Sequence, residues 1–161
     1  MTTATETATQ TYQLHIKASP EEIWNALTTR AEEYGYRAAV EYDLRPGGAY
    51  RGFASKEMLE FGMSDVVIDG EILEVDLPHR LVQTWNPLFD EKISAEPPAT
   101  LTWETQEGPN GVTRLTLTAE SEGAPMTAAI TSGSVPEAGG GWPYVLSDLK
   151  TLLETGESLA G

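Results

Sequence analysis

Between Val40 and Ala119, apolar residues recur at every second position in one segment after another. The period changes to that of a helix only after Gly141. This order constrains the fold more than any other feature of the chain. Val40, Tyr42 and Leu44 alternate with Glu41, Asp43 and Arg45, and Pro46-Gly47-Gly48 turns the chain back into a partner strand over 49–54. Residues 66–75 are apolar on both faces, as a central strand is; Pro78 ends them and 80–86 follow as another strand, with Leu81, Gln83 and Trp85 on one face. Residues 100–105 and 113–119 form a hairpin around Gly108-Pro109-Asn110-Gly111, with Leu101 and Trp103 on the same side as Leu115 and Leu117. The stretches 56–65 and 89–98 are expected to be irregular loops. Trp142, Val145, Leu146, Leu149, Leu152 and Leu153 then recur at helical spacing, Pro143 opening the regular part and Gly156 stopping it.

The N-terminal part supplies one strand and one or two short helices. Tyr12, Leu14 and Ile16 alternate with Gln13, His15 and Lys17. Ser19-Pro20-Glu21-Glu22 is a helix start, because Ser19 can cap, Pro20 suits the first helical position and Glu22 can close a capping box. Ile23, Ala26 and Leu27 give that helix its apolar face. Residues 30–38 suggest a second short helix or an ordered turn, broken at Gly35.

An antiparallel sheet with one solvated face must cover the other. Only the C-terminal helix is long enough to do so, which makes the fold α+β: a curved antiparallel sheet of about six to seven strands wrapped around one long helix. Such wrapping leaves space between sheet and helix, and ligand pockets form in such space.

Composition narrows the function. Among 161 residues, 25 are acidic and 10 basic, a formal charge of −15 that repels nucleic-acid backbones and anionic bilayers. No apolar run suggests membrane insertion. The chain has no cysteine, which excludes disulfides and thiolate chemistry and points to the cytoplasm. Its two histidines, His15 and His79, share no motif, and no triad, phosphate loop or metal signature is present, so neither metal nor cofactor is expected. Residues 1–10 are expected to be a disordered tail, 11–156 a single domain and 157–161 a C-terminal tail. The expected state is monomer or homodimer.

Several segments, in order, carry a resemblance: Ala18-Ser19-Pro20-Glu21-Glu22-Ile23-Trp24 with Ala26 and Leu27, Asp43-Leu44-Arg45-Pro46-Gly47-Gly48, and Gly70-Glu71-Ile72-Leu73-Glu74-Val75-Asp76 with Pro78, Arg80 and Thr84-Trp85. Thr113 to Thr118 and Gly141-Trp142 complete the set. Across about residues 12 to 155 the chain resembles the helix-grip, START-like (SRPBCC) superfamily, and within it the bacterial homologues of the C-terminal domain of the heat-shock protein 90 ATPase activator. It departs from them in carrying Tyr34 and Tyr36 where a tandem tryptophan is common, and in a longer, glycine-rich loop over 121–141. The resemblance implies a helix-grip fold and a cavity for a hydrophobic, lipid-, polyketide- or aromatic-like small molecule. A cyclase- or dehydratase-type enzyme in the same cavity is the alternative, and a chaperone-interacting module the second.

The candidate ligand-binding residues are Trp24, Tyr36, Tyr50, Met58, Met63, Gln83, Trp85, Trp103, Trp142, Leu146 and Leu149. Gln83, between Leu81 and Trp85, places an amide on the inner face, where it needs a partner. For acid–base work the candidates are Gln83 and Glu71. Strict alternation puts Glu71 on the face of Leu73 and Val75 and Glu74 on that of Ile72, so one of the two carboxylates is expected to point inward. Asp43 and Arg45 are expected to be a surface pair.

Overall fold

Seven antiparallel strands hydrogen-bond in the spatial order β1-β7-β6-β5-β4-β3-β2. In chain order they are β1 (Thr9–Ile16), β2 (Val40–Tyr42), β3 (Ala49–Phe53), β4 (Val66–Asp76), β5 (Arg80–Pro87), β6 (Ala99–Glu107) and β7 (Thr113–Glu120). The helices are α1 (Pro20–Thr29), α2 (Lys56–Glu60), α3 (Glu91–Ser94), α4 (Pro125–Ser132) and α5 (Gly141–Thr155). A computed structural model describes residues 9–133 and 140–159. Most of the expected N-terminal tail, Gly139 and the last two residues therefore lie outside the described residues.

The local signals act as the sequence implies. Ser19 Oγ accepts from the Glu22 N–H and Glu22 Oε1 accepts from the Ser19 N–H, closing the capping box of α1. Gly156 ends α5 in the left-handed conformation. Tyr12, Leu14 and Ile16 of β1 are the more buried residues of their strand, and Leu14 lies opposite Leu115 of β7.

One core joins both layers. Trp142, Leu146, Leu149 and Leu152 of α5 pack with Ile23, Trp24 and Leu27 of α1 against Leu81, Trp85, Leu101, Trp103, Leu115 and Leu117 of the sheet. Each leucine sealed in this layer stabilises the fold by roughly 1.5–3 kcal/mol.

Three helices occupy stretches expected to be loops. Ser55 caps α2 by accepting from the Met58 N–H, and Asp90 caps α3 by accepting from the Ile93 N–H. Helix α4 has no local cap. Its first N–H groups are met by Glu96, whose carboxylate accepts from the Met126 N–H, the Thr127 N–H and the Thr127 hydroxyl, each at 2.9 Å. Strand β2 is also shorter than expected and stops at Tyr42; Asp43 and Arg45 form an exposed ion pair just beyond it, at 2.8 Å.

The β4 strand corrects the expectation about Glu71. Its register against β5 runs Ile72 opposite Gln83, then Glu74 opposite Val82, so Leu73 is an inserted bulge residue. The insertion reverses the alternation. Ile72 and Val75 both turn to the core, and Glu71 and Glu74 are both exposed. Glu74 pairs with Arg80 at 2.9 Å.

A two-chambered apolar cavity

Space remains between the sheet and α5, walled by the loop after α1, by β2, β3, β4, β5 and β6, and by the first turn of α5. An inner chamber of about 120 Å³ is bounded by Tyr34, Tyr42, Tyr50, Gln83, Leu101 and Trp103. An outer chamber of about 360 Å³ is bounded by Met63, Phe89, Ile130 and Thr131, under α4. Tyr36, Met58, Ile68, Trp85, Phe89, Trp142 and Val145 border both, so the two chambers adjoin. Among the described residues the lining contains no Asp, Glu, Lys, Arg or His.

The walls are an aromatic cluster. Trp142 stands 5.4 Å from Trp85 and 5.8 Å, edge-on, from Trp103, and Tyr42 lies 4.7 Å from Tyr50. Gly141, at the head of α5, is required by backbone contact: a Cβ there would stand 2.3 Å from the Thr131 carbonyl oxygen, where α4 meets α5. Its φ of 63° is a second reason for glycine.

Polar groups in this wall are few. Gln83 has no exposed surface; its Oε1 accepts from the Tyr42 hydroxyl at 3.2 Å, while its Nε2 has no partner. The indole nitrogens of Trp103 and Trp142 are likewise buried and unpartnered. The Tyr34 hydroxyl donates to the Ala26 carbonyl at 3.4 Å. Burial pushes the Tyr50 hydroxyl up to about 12 and holds Tyr34 and Tyr42 well above the usual tyrosine range. These hydroxyls are neutral at ordinary pH.

The model of the family described as activator of Hsp90 ATPase homolog 1-like protein matches residues 17–154. The chain belongs to that family. No curated protein matches the sequence. Solved structures agree on the fold of this activator-like domain. An HSP90 activator from Plasmodium falciparum, PFC0360w, is 21% identical with a TM-score of 0.61, over 91% of this chain and 96% of that one. Protein MLL2253 from Mesorhizobium loti is 22% identical with a TM-score of 0.66, over 90% and 96%. DynU16, from the dynemicin biosynthetic locus, is 23% identical with a TM-score of 0.66, over 94% of this chain and 49% of the longer one. At these identities the likeness is one of fold, and it is the helix-grip arrangement.

Within this family member the expected site residues divide. Tyr36, Tyr50, Met58, Met63, Gln83, Trp85, Trp103 and Trp142 converge on the two chambers. Trp24, Leu146 and Leu149 do not line either. They are sealed in the core, and the Trp24 indole N–H donates to the Pro78 carbonyl at 2.5 Å and to the Thr105 hydroxyl at 3.2 Å, locking α1 to the sheet. Glu71 lies on the outer face, so Gln83 alone of the two acid–base candidates reaches the cavity.

Two residues escaped the sequence reading. Tyr42 orients the Gln83 amide. Asp148 is fully buried, its carboxylate accepting from the Gly35 N–H at 2.8 Å and the Leu159 N–H at 2.6 Å, so it ties the cavity-lining turn at Tyr34-Gly35 to α5. Its signal was present, since Asp148 falls between Val145 and Leu152 at core spacing, where a carboxylate needs donors. Among the described residues no group of three acidic or histidine side chains could hold a metal, and no helix is long and apolar enough to cross a membrane.

Proposed function

We propose that this protein binds a hydrophobic small molecule, with its bulk in the outer chamber and one end in the inner one. The observation that carries the reading is the charge-free, aromatic-walled cavity between α5 and the sheet, whose outer chamber of about 360 Å³ is of ligand-site size. The family's cavity-bearing fold supports it, as does the likeness to a protein from a biosynthetic locus. The cytoplasm is the proposed compartment. A cyclase- or dehydratase-type reaction has less support, because the side chains of the described lining offer only neutral groups: tyrosine hydroxyls raised by burial, the Thr131 hydroxyl, indole N–H groups and one amide. The chaperone-binding reading is supported by the family and by the fold likeness to an HSP90 activator.

Native mass spectrometry of protein purified gently from its own host, repeated under denaturing conditions, is expected to show an added small mass in the native spectrum only. Saturable binding of the neutral dye N-phenyl-1-naphthylamine is a second readout. Val145→Phe, which fills the junction of the chambers, is expected to weaken the dye about tenfold. A cooperatively melting Val145→Phe variant with unchanged dye affinity would overturn the proposal.

A further inference from the structure

Resting on that reading, the identity of the unpartnered groups narrows the class of ligand. Three buried polar atoms without partners belong to residues of the inner chamber: Gln83 Nε2, Trp103 Nε1 and Trp142 Nε1. All three are N–H donors. The fourth such atom in the described structure, Asn86 Oδ1, is an acceptor and lies on a residue outside the lining. The amide oxygen of Gln83 is already engaged by Tyr42. Buried donors are normally satisfied, and three of them on residues lining one chamber point to a ligand that supplies oxygens.

We propose that the inner chamber is a carbonyl-recognition subsite: Gln83, with Trp103 and Trp142, donates hydrogen bonds to the oxygen of a neutral ketone, quinone or ester whose apolar body occupies the outer chamber. Charge decides against a carboxylate. Burying an ion without a counter-charge is costly, the described lining provides no cation, and the chain carries a net charge of −15. Size decides against a bulky head. An engineered cavity of roughly 150 Å³ admits one benzene, so a chamber of about 120 Å³ takes a carbonyl with at most part of a ring. Gln83 is the specificity-determining residue, because Tyr42 holds its oxygen and leaves its NH₂ unpartnered in a residue of the lining.

The test uses three probes of one shape on the full chain: 2-acetylnaphthalene, 2-ethylnaphthalene and 2-naphthoate, each displacing N-phenyl-1-naphthylamine. The acetyl compound is expected to bind about tenfold tighter than the more hydrophobic ethyl compound, the worth of one or two hydrogen bonds. The naphthoate is expected to bind weakest. In Gln83→Met the ratio of acetyl to ethyl affinity should fall to near one, and Trp103→Phe should lower the same ratio if Gln83→Met does not fold. Equal binding of the acetyl and ethyl compounds by the unaltered chain would overturn the subsite and leave the apolar cavity reading standing. Failure of all three probes and the dye to bind would overturn both.

Discussion

The hydroxyl of Tyr42 donates to Oε1 of Gln83 at 3.2 Å, linking the edge strand β2 to β5 at the centre of the sheet. The two residues are 41 apart in the chain, and their bond crosses the wall of the inner chamber. It settles which end of the amide is satisfied and which end is free.

Tyr42→Phe removes that donor and leaves the Gln83 oxygen buried without a partner. The expected cost is about 1–3 kcal/mol, measured by urea denaturation. Because the amide is then free to turn over, the preference for carbonyl probes should fall as well. A Tyr42→Phe variant as stable and as selective as the parent would show that the bond does not orient Gln83.

Alkaline pH should destabilise the fold through the buried tyrosines. Tyr50 is raised from 10 to about 12 by burial. Below pH 10 both native and unfolded states hold its proton, so its contribution is then fully present. Between about pH 10 and 12 the unfolded state releases the proton first, and stability falls as pH rises. For Tyr50 the loss is on the order of 2 kcal/mol. Absorbance of tyrosinate should therefore show Tyr34, Tyr42 and Tyr50 ionising together with unfolding, as followed by circular dichroism. Titration of all six tyrosines of the chain near pH 10 in a folded protein would contradict their burial.

Helix α4 should depend on Glu96. Glu96→Ala deprives the Met126 and Thr127 N–H groups of their acceptor, a change worth about 1 kcal/mol at a helix N-terminus. Amide exchange in 125–132 is expected to accelerate while β6 and β7 stay protected. Glu96→Gln, which keeps an acceptor oxygen, should be the milder change. Equal protection of α4 in all three proteins would count against this cap.

Asp148→Asn should loosen two segments at once. An amide can accept only one of the Gly35 and Leu159 N–H bonds through its oxygen, and its NH₂ opposes the other. A loss of about 1–3 kcal/mol is expected, together with faster carboxypeptidase trimming of the C-terminal residues. An Asp148→Asn protein that resisted trimming as well as the parent would remove the latch.

Much of this architecture is written in local patterns. The capping box at Ser19 and Glu22, the alternation of Leu81, Gln83 and Trp85, the β6–β7 hairpin and the α5 stripe ending at Gly156 all depend on residues a few positions apart, and all appear where the chain indicates them. The aromatic supply of the cavity was visible for the same reason, since inward-facing positions follow from period two in strands and 3.6 in helices.

What failed to be legible was nonlocal. The bulge at Leu73 put Glu74 out of step with Ile72 and Val75 out of step with Glu71, and a one-residue insertion leaves no mark in an alternation that is apolar on both sides. Helix α4 draws its cap from Glu96, 30 residues before Met126, so its own sequence carries no capping side chain and only Pro125 marks its start. Trp24, Leu146 and Leu149 have the same apolar character as the true lining residues, and only packing decides which apolar groups meet one another and which face a void.

By itself the sequence determined the element order, the inward faces and a charge that turns away polyanions, because each depends on short-range periodicity or on composition. The tertiary structure alone decided where the space lies, that its walls are free of charge and that its unpartnered polar atoms are N–H donors. Those properties arise from side chains brought together across long chain separations, as Tyr42 is with Gln83 and Trp103 with Trp142.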